Sequence, residues 1–216
     1  MGAPKTLESP PQPGRSERKR RAILMAATEV FLRSSYLGTN MDEIAALSGV
    51  SKQTVYKHFA SKEALFIAVV SAMTDTTGDE VVSNQAELDP SGGNVDEFLT
   101  EYAFRQLKGV LTPKVMQLRR LVIGEVSRFP ELAKVLYERG PQRALARLAA
   151  LIGQLASRGV LKVEDSSVAA SHFNLLIMSE PLNRAMLLGD SAIPKAAQLR
   201  RHAAEGVQVF LAAYRR

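Results

Sequence analysis

Six of the seven side chains between positions 52 and 58 can donate a hydrogen bond, and all six are types found at nucleic-acid interfaces. They are Lys52, Gln53, Thr54, Tyr56, Lys57 and His58. A glutamine amide can pair with an adenine edge, threonine offers thymine a hydroxyl or a methyl group, and lysine holds phosphate. Val55 and Phe59, four residues apart, would form the inner face of the same helix. The spacing predicts a short helix with a basic outer surface suited to a major groove.

Flanking caps and a tight turn would hold this helix in position. Asn40 is predicted to cap a preceding helix, with Glu43 reaching back in a capping box, and Gly49 to end it. Ser51 would cap the helix of interest and Ser61 the one after it. Two helices joined by a short glycine-containing link form a helix-turn-helix unit. At this level the alternative is an ordinary helical hairpin with a solvated polar face.

Positive charge is concentrated around this unit. Of the net charge of +6, residues 15–62 carry nine Lys and Arg against four Asp and Glu, whereas residues 63–216 carry eighteen against seventeen. This distribution indicates a phosphate-binding surface. The basic run consists of Arg15, Arg18, Lys19, Arg20 and Arg21. It is predicted to lie on a DNA backbone or in a minor groove, and a merely solvated charge run is the alternative.

The amino-acid composition indicates the fold class and the cellular compartment in which the protein acts. The chain has 216 residues, 46% hydrophobic composition, no Trp and no Cys. Ala, Leu and Val dominate without period-two alternation, which predicts an all-α protein. The absence of cysteine fits a reducing cytoplasm, where we expect the protein to act. No apolar run has the length of a membrane span and no signal-peptide core is present, so no membrane partner is expected.

The sequence offers little for catalysis. Its three histidines are His58, His172 and His202, and none is paired with a ligand-type residue at metal-binding spacing. Serine-hydrolase, P-loop and dinucleotide-binding patterns are also absent. We therefore expect no enzymatic activity, no metal and no cofactor.

Two stretches resemble a known family. AILMAATEVFLRSSYLGTNMDEIAALSGVS followed by KQTVYKHFASKEALF, within Arg18 to Phe66, resembles the N-terminal DNA-binding domain of TetR family regulators. RFPEL at 128–132 and YERGP at 137–141, within residues 118–159, resemble the C-terminal domain of AefR-like members. The departure at Tyr36-Leu37-Gly38, where the family has an aromatic–Gly pair, is minor. The resemblance implies a dimeric, ligand-responsive, mostly repressing DNA-binding protein.

The predicted organisation has three parts: a disordered basic arm (1–17), a helix-turn-helix domain (18–62), and a helical effector-binding and dimerisation domain (63–216). A helix from Ser61 to about Ser83 would link the last two, because its first half is apolar all round. After a loop at 89–94, helices are predicted near 95–111, 114–128, 131–158, 166–188 and 194–215. Gly140-Pro141 would break the third of these and Glu180-Pro181 would kink the fourth.

The predicted contacts with double-stranded DNA follow from the resemblance and the residue types. They are Asn40, Lys52, Gln53, Thr54, Tyr56, Lys57, His58 and Lys62. Gln53 and Thr54 would read bases, whereas the lysines, Asn40 and Tyr56 would hold phosphates. For Tyr56 the alternative is a place in the domain core.

A pocket for a small, apolar or amphipathic effector is expected between helices of the larger domain. Its candidate lining residues are Phe104, Leu107, Met116, Arg119, Ile123, Tyr137, Met178 and Glu180, each of which could equally belong to the core. Homodimerisation is expected through the last two helices, whose apolar stripes are Val168, Leu175, Leu182 and Met186, and Val207, Phe210, Leu211 and Tyr214. The alternative is that these stripes close the subunit's own core.

The predicted function is a ligand-responsive transcriptional repressor that binds a palindromic operator as a homodimer and is released by its effector. Two alternatives remain: a helical protein-binding module, or a constitutive DNA-binding regulator without a ligand. A steep loss of binding with rising salt would favour DNA over a protein partner, because neutralised phosphates release counterions.

Overall fold

The computed structural model describes residues 14–86 and 94–216, and these are all-α without a strand, as predicted. The helices are α1 (Arg15–Gly38), α2 (Met41–Ser48), α3 (Lys52–His58), α4 (Lys62–Ala86), α5 (Val95–Val110), α6 (Pro113–Gly124), α7 (Pro130–Tyr137), α8 (Arg143–Ser157), α9 (Ser166–Leu188) and α10 (Ala196–Tyr214). Most of the predicted disordered arm (1–17) and of the predicted loop (89–94) lies outside the described residues.

The chain divides into two compact units, Met1–Val69 and Val70–Arg216, and the boundary falls inside α4. The sequence predicted this boundary between residues 62 and 63, which are the first two residues of α4. None of the helices in the described ranges has an apolar stretch of the length that a lipid bilayer requires.

The first unit has a small apolar core. Its fully buried side chains are Ile23, Ala27, Val30, Phe31, Ile44, Val55, Leu65, Phe66 and Val69. Two apolar residues of the helix-turn-helix unit do not join this core fully, since Leu47 is 51% exposed and Val50 is only half-buried. The buried stripe of α2 runs through Met41, Ile44 and Ala45, so Leu47 lies off its centre.

α1 contains a break at Ser35, where φ is 57°. A further turn of the helix follows the break and reaches Gly38. Thr39 Oγ1 donates to the Ser35 carbonyl at 2.7 Å. Beside the break, the Tyr36 ring packs 5.1 Å from the ring of Phe66. These contacts hold the strained residue in place.

The second unit has its core where α5, α8, α9 and α10 meet. The ring of Phe173 packs edge-to-face on Tyr102 and on Phe210, with centroid distances of 6.3 and 5.1 Å. On α10, Val207, Phe210 and Leu211 are at most 4% exposed. Much of the apolar stripe that was predicted to face a partner subunit therefore closes this subunit's own core.

α9 continues through Pro181, so the kink predicted at Glu180-Pro181 does not interrupt the helix. Proline cannot donate to the carbonyl four residues earlier, which belongs to Ile177. His202 Nε2 lies 2.8 Å from this oxygen and donates to it from α10. One turn later on α10, a Cβ at Gly206 would lie 2.6 Å from Ile177 Cδ1. A side chain at Gly206 would therefore require the end of the Ile177 side chain to move, since the nearest backbone atom, the Leu176 carbonyl oxygen, would lie 3.5 Å away.

The predicted break at Gly140-Pro141 takes the form of a π-helical turn, Glu138–Gln142, between α7 and α8. Pro141 lacks the N–H that a regular helix would use there, so the backbone widens for one turn. Pro113 and Pro130 occupy first-turn positions of α6 and α7, where proline's missing N–H costs no helical hydrogen bond. Pro194, by contrast, precedes α10, which is capped at Lys195.

Candidate DNA-reading surface and effector cavity

α2 and α3 form the predicted helix-turn-helix geometry. The Asn40 side chain accepts from the Asp42 N–H at 2.9 Å and caps α2. Between the helices, Gly49 adopts a left-handed conformation, with φ 67° and ψ 27°. The capping-box role predicted for Glu43 is wrong, because its carboxylate accepts from the guanidinium of Arg33 and ties α2 to α1.

Gly49→Ala is expected to lower the free energy of unfolding by about 1–2 kcal/mol, because a left-handed angle forces Cβ against the following carbonyl. No atom lies within 4 Å of the Cβ position, so the loss would report backbone strain alone. Urea unfolding followed by circular dichroism measures it. Gly124→Ala, also in open space but without a positive φ, is the control. Equal effects of the two substitutions would contradict the strain at Gly49.

We term the exposed face of α3, formed by Lys52, Gln53, Tyr56 and Lys57, the reading surface. Tyr56 is 41% exposed, whereas Val55 and Phe59 are buried, so Tyr56 is not a core residue. Within the described parts of the chain, the Gln53 and Lys57 side chains make no hydrogen bond or ion pair. Their donors are therefore available to an external partner.

The other residues at the start of α3 have intramolecular contacts. Lys52 Nζ lies 3.0 Å from a carboxylate oxygen of Asp42, and both side chains are more than half exposed. Such a pair contributes at most about 1 kcal/mol and opens readily for a phosphate. The hydroxyl groups of Ser51 and Thr54 lie 2.9 Å apart, and Ser51 Oγ also accepts from the Thr54 N–H. The Thr54 hydroxyl is thus partly committed to the helix cap.

Lys62 and His58 are half-buried. Lys62 Nζ donates to the carbonyls of Leu37 and Thr39 at 3.3 and 2.7 Å, and it lies 4.8 Å from the centroid of the Tyr36 ring. The predicted phosphate contact of Lys62 would therefore be made by an ammonium that also holds the end of α1.

The basic run lies within the first two turns of α1. The guanidinium of Arg20 lies over the Phe59 ring, 5.3 Å from its centroid, at the C-terminal end of α3. The contact links the basic run to the helix that carries the reading surface. Arg18 and Arg21 are exposed and Lys19 is half-buried. No local sequence pattern predicts the Arg20 stacking, because Arg20 and Phe59 are 39 positions apart.

The second candidate site is a cavity within the second unit, with a volume of ≈ 340 Å³. This size is typical of small-molecule sites. Its apolar wall comes from α5, α6, α7 and α9, and consists of Val110, Val115, Leu118, Leu136, Met178 and Leu182. Thr74 and Thr77 of α4 complete the wall.

Among the described residues, the charged lining of this cavity is entirely cationic. It comprises Arg119, Arg139, Arg143 and Arg147. Arg139 pairs with Asp75 of α4, with an N–O distance of 2.9 Å. Arg119 has neither an ion pair nor a hydrogen bond to any described residue. Burial lowers the pKa of its guanidinium.

Gln106 carries a second unmatched group at the cavity. Its side chain is 5% exposed, and its Nε2 donates to Asn174 Oδ1 at 3.1 Å. Its Oε1 is buried and lacks a partner among the described residues. A buried unpaired acceptor costs about 1–3 kcal/mol, so such groups call for a functional explanation.

Three of the eight predicted effector-binding residues, Arg119, Tyr137 and Met178, line the cavity. The other five lie elsewhere. Leu107 and Met116 are fully buried in the core, and Phe104 lies beneath the Arg200 guanidinium at 4.2 Å. Ile123 is 58% exposed and Glu180 is also exposed. The role of the predicted set in effector binding stays a prediction.

Gln106 was missed in the sequence, although a signal was present. It continues the buried stripe of α5 formed by Leu99, Tyr102 and Ala103, at three- and four-residue spacing. A long polar side chain at such a position is unusual, because burial of an amide requires hydrogen bonds.

The π-helical turn connects the cavity to α4. Gly140 lies against α4, since a Cβ there would be 4.0 Å from Thr74 Cγ2, and the Arg139–Asp75 ion pair joins the same two elements. α4 also carries Phe66, which is buried in the core of the first unit. Phe66 and Thr74 are eight residues apart, roughly 12 Å along the helix axis.

Comparison with known proteins confirms both resemblances found in the sequence. A family model described as bacterial regulatory proteins, tetR family, matches residues 23–69. A second, described as AefR-like transcriptional repressor, C-terminal domain, matches residues 97–216.

Solved structures extend the likeness over nearly the whole chain. A TetR-family transcriptional regulator from Mesorhizobium loti MAFF303099 is 38% identical, with a TM-score of 0.87 over 94% of this chain and 100% of that one. The flavonoid-responsive regulator FrrA is 31% identical, with a TM-score of 0.74 over 92% and 98% of the two chains.

Among curated proteins, the transcriptional activator FasR of Mycolicibacterium smegmatis is 44% identical over 59 residues, which is 27% of each chain. The match thus spans about a quarter of that relative's length. Since one family model alone covers more than half of this chain, the protein belongs to the TetR family, with an AefR-like C-terminal domain, and is a DNA-binding transcriptional regulator rather than an enzyme.

Proposed function

We propose that the protein is a homodimeric repressor that binds a palindromic operator and is released from it by a small effector. The observation that carries the DNA-binding part is the reading surface, on which Gln53 and Lys57 have no partner within the described residues. Gln53 would read an adenine edge, while Lys52, Tyr56 and Lys57 would hold phosphates.

Exposed apolar side chains on the last two long helices support homodimerisation. Val168 and Leu175 of α9 are 48% and 59% exposed, and Val209 of α10 is 57% exposed. Pairing these faces about a two-fold axis would bury them and form a four-helix interface. Two reading surfaces related by that axis would meet half-sites about one helical turn (~34 Å) apart, or a few turns.

The cavity supports control by a small molecule. The related regulator FrrA is described as flavonoid-responsive, and this chain has a cavity of ≈ 340 Å³ in the unit that carries its AefR-like domain. An effector releases DNA only if it binds the non-binding geometry of the dimer more tightly than the binding one. We propose that it displaces the π-helical turn, which moves α4 through Thr74 and the Arg139–Asp75 pair.

Gln53→Ala is expected to lower operator affinity roughly 5- to 150-fold, since a bidentate base contact is worth about 1–3 kcal/mol. Affinity for unrelated duplex should hardly change. An operator selected from a random-sequence duplex library, titrated by fluorescence anisotropy, provides the measurement. The control Gln154→Ala removes an exposed glutamine from α8. If Gln53→Ala and Gln154→Ala both bind the operator like the parent, Gln53 does not read bases.

A further inference from the structure

We propose that the effector is an amphipathic organic anion whose charged oxygen group binds Arg119 and whose hydroxyl or N–H group donates to Gln106 Oε1. This inference rests on the proposed function, because it identifies the chemistry of the ligand that would release the operator. Two residues that each carry an unmatched polar group, Arg119 and Gln106, line the same cavity as an apolar wall, and together these features carry the proposal.

The first unmatched group calls for an anion. Arg119 is half-buried at the cavity wall, and no carboxylate within the described residues neutralises it. Burying a cation without a partner is costly, and a ligand oxyanion that binds the guanidinium would remove that cost. Arg143 and Arg147, also at the wall, add positive potential, whereas Arg139 is already paired with Asp75. A cationic ligand would be repelled.

The second unmatched group calls for a donor. Because Gln106 Nε2 is committed to Asn174, the buried Oε1 can only accept, and a ligand hydroxyl or N–H group would satisfy it. A purely apolar ligand would leave this acceptor unpaired. A site built to hydrogen-bond a ligand hydroxyl discriminates against analogues without one for the same reason.

The apolar wall of the cavity determines the chemistry of the uncharged part of the ligand, which we call its body. Val110, Leu118, Met178 and Leu182 present hydrocarbon and thioether groups to the cavity. Both an alkyl chain and an aromatic ring system can pack against them. Aliphatic and aromatic hydroxy acids therefore share the required chemistry, and the experiment separates them.

The charge requirement is tested with 8-anilinonaphthalene-1-sulfonate and N-phenyl-1-naphthylamine, two fluorescent probes that differ only by the sulfonate. Both are titrated into the purified full-length protein without DNA. The parent is expected to bind the anionic probe about tenfold more tightly or better, given the strength of charge-assisted hydrogen bonds. Arg119→Met should abolish this preference and leave the neutral probe unaffected. Lys114→Met removes an exposed cation from the same helix, outside the cavity, and should preserve the preference.

The donor requirement and the body of the ligand are tested by displacing the anionic probe. 3-Hydroxycinnamate and 4-hydroxycinnamate are compared with cinnamate, and 12-hydroxydodecanoate is compared with dodecanoate. At least one hydroxylated acid should bind several-fold more tightly than its parent acid. In Gln106→Met this difference should vanish, because methionine offers only a weak thioether acceptor at this position. The tighter of the two series identifies an aromatic or an aliphatic body.

An unchanged preference for the anionic probe in Arg119→Met would overturn the anion site. Failure of every acid to displace the probe would overturn the ligand class, and an unchanged hydroxyl preference in Gln106→Met would overturn the donor site. None of these measurements contains DNA. Failure of the ligand proposal is therefore distinguishable from failure of the proposed repressor function. The latter is measured separately, by operator titrations of the same preparations.

Discussion

Replacing Arg18, Lys19 and Arg21 together with glutamine is expected to weaken binding to every DNA duplex, on the order of 100-fold at 0.1 M salt. Each phosphate contact contributes about 0.9 to the slope of log affinity against log salt concentration, so the slope should become shallower by about 2–3. Operator and unrelated duplexes should lose the same factor, because phosphate contacts carry no base information. Anisotropy titrations between 0.05 and ~0.3 M salt measure both quantities.

Arg20 stays in this variant, because it stacks on Phe59 and its loss could loosen the unit that carries the reading surface. The matched control replaces Lys108, Lys114 and Lys162 with glutamine. These three exposed lysines of the second unit give the same change in net charge. If the control weakened DNA binding as much as the test variant, net charge rather than the basic run would govern affinity. A loss confined to the operator would mean that the run reads bases.

Most of the helix-turn-helix unit could be predicted from the sequence, because its caps and its turn are set by residues close together in the chain. Asn40 and Ser51 each cap a helix through an N–H two or three residues away, and Gly49 supplies the left-handed angle between them. The exposure of Leu47, by contrast, is not a local property, because it depends on which side of α2 meets the rest of the unit. An eight-residue helix shows too little periodicity to settle that direction.

The cavity could be predicted only in part, because its walls join residues far apart in the sequence. Met116, Arg119 and Ile123 succeed one another at three- and four-residue spacing, and so would share one face of α6. The structure buries Met116, places Arg119 at the cavity and leaves Ile123 58% exposed near the end of the helix. How deeply each residue on that face is buried depends on α5, α7 and α9. The local sequence of α6 carries no information about where those helices pack.

Filling the cavity is expected to mimic the effector. Met178→Trp and Val110→Trp each place an indole into a space of ≈ 340 Å³, beside the π-helical turn that contacts α4. Operator affinity should fall by about 5- to 150-fold, the usual range of coupling between two sites. Circular dichroism must show parental helicity, and analytical ultracentrifugation must show the parental oligomeric state, before operator titrations are compared.

Ile123→Trp is the matched control, since Ile123 is exposed and outside the cavity, and it should bind the operator like the parent. Retained operator affinity in both cavity variants would contradict ligand gating, because a filled cavity would then be compatible with the DNA-binding geometry. The protein would in that case be a constitutive DNA-binding regulator. Tighter operator binding would instead preserve the coupling and reverse its sign, so that the effector would recruit the protein to DNA.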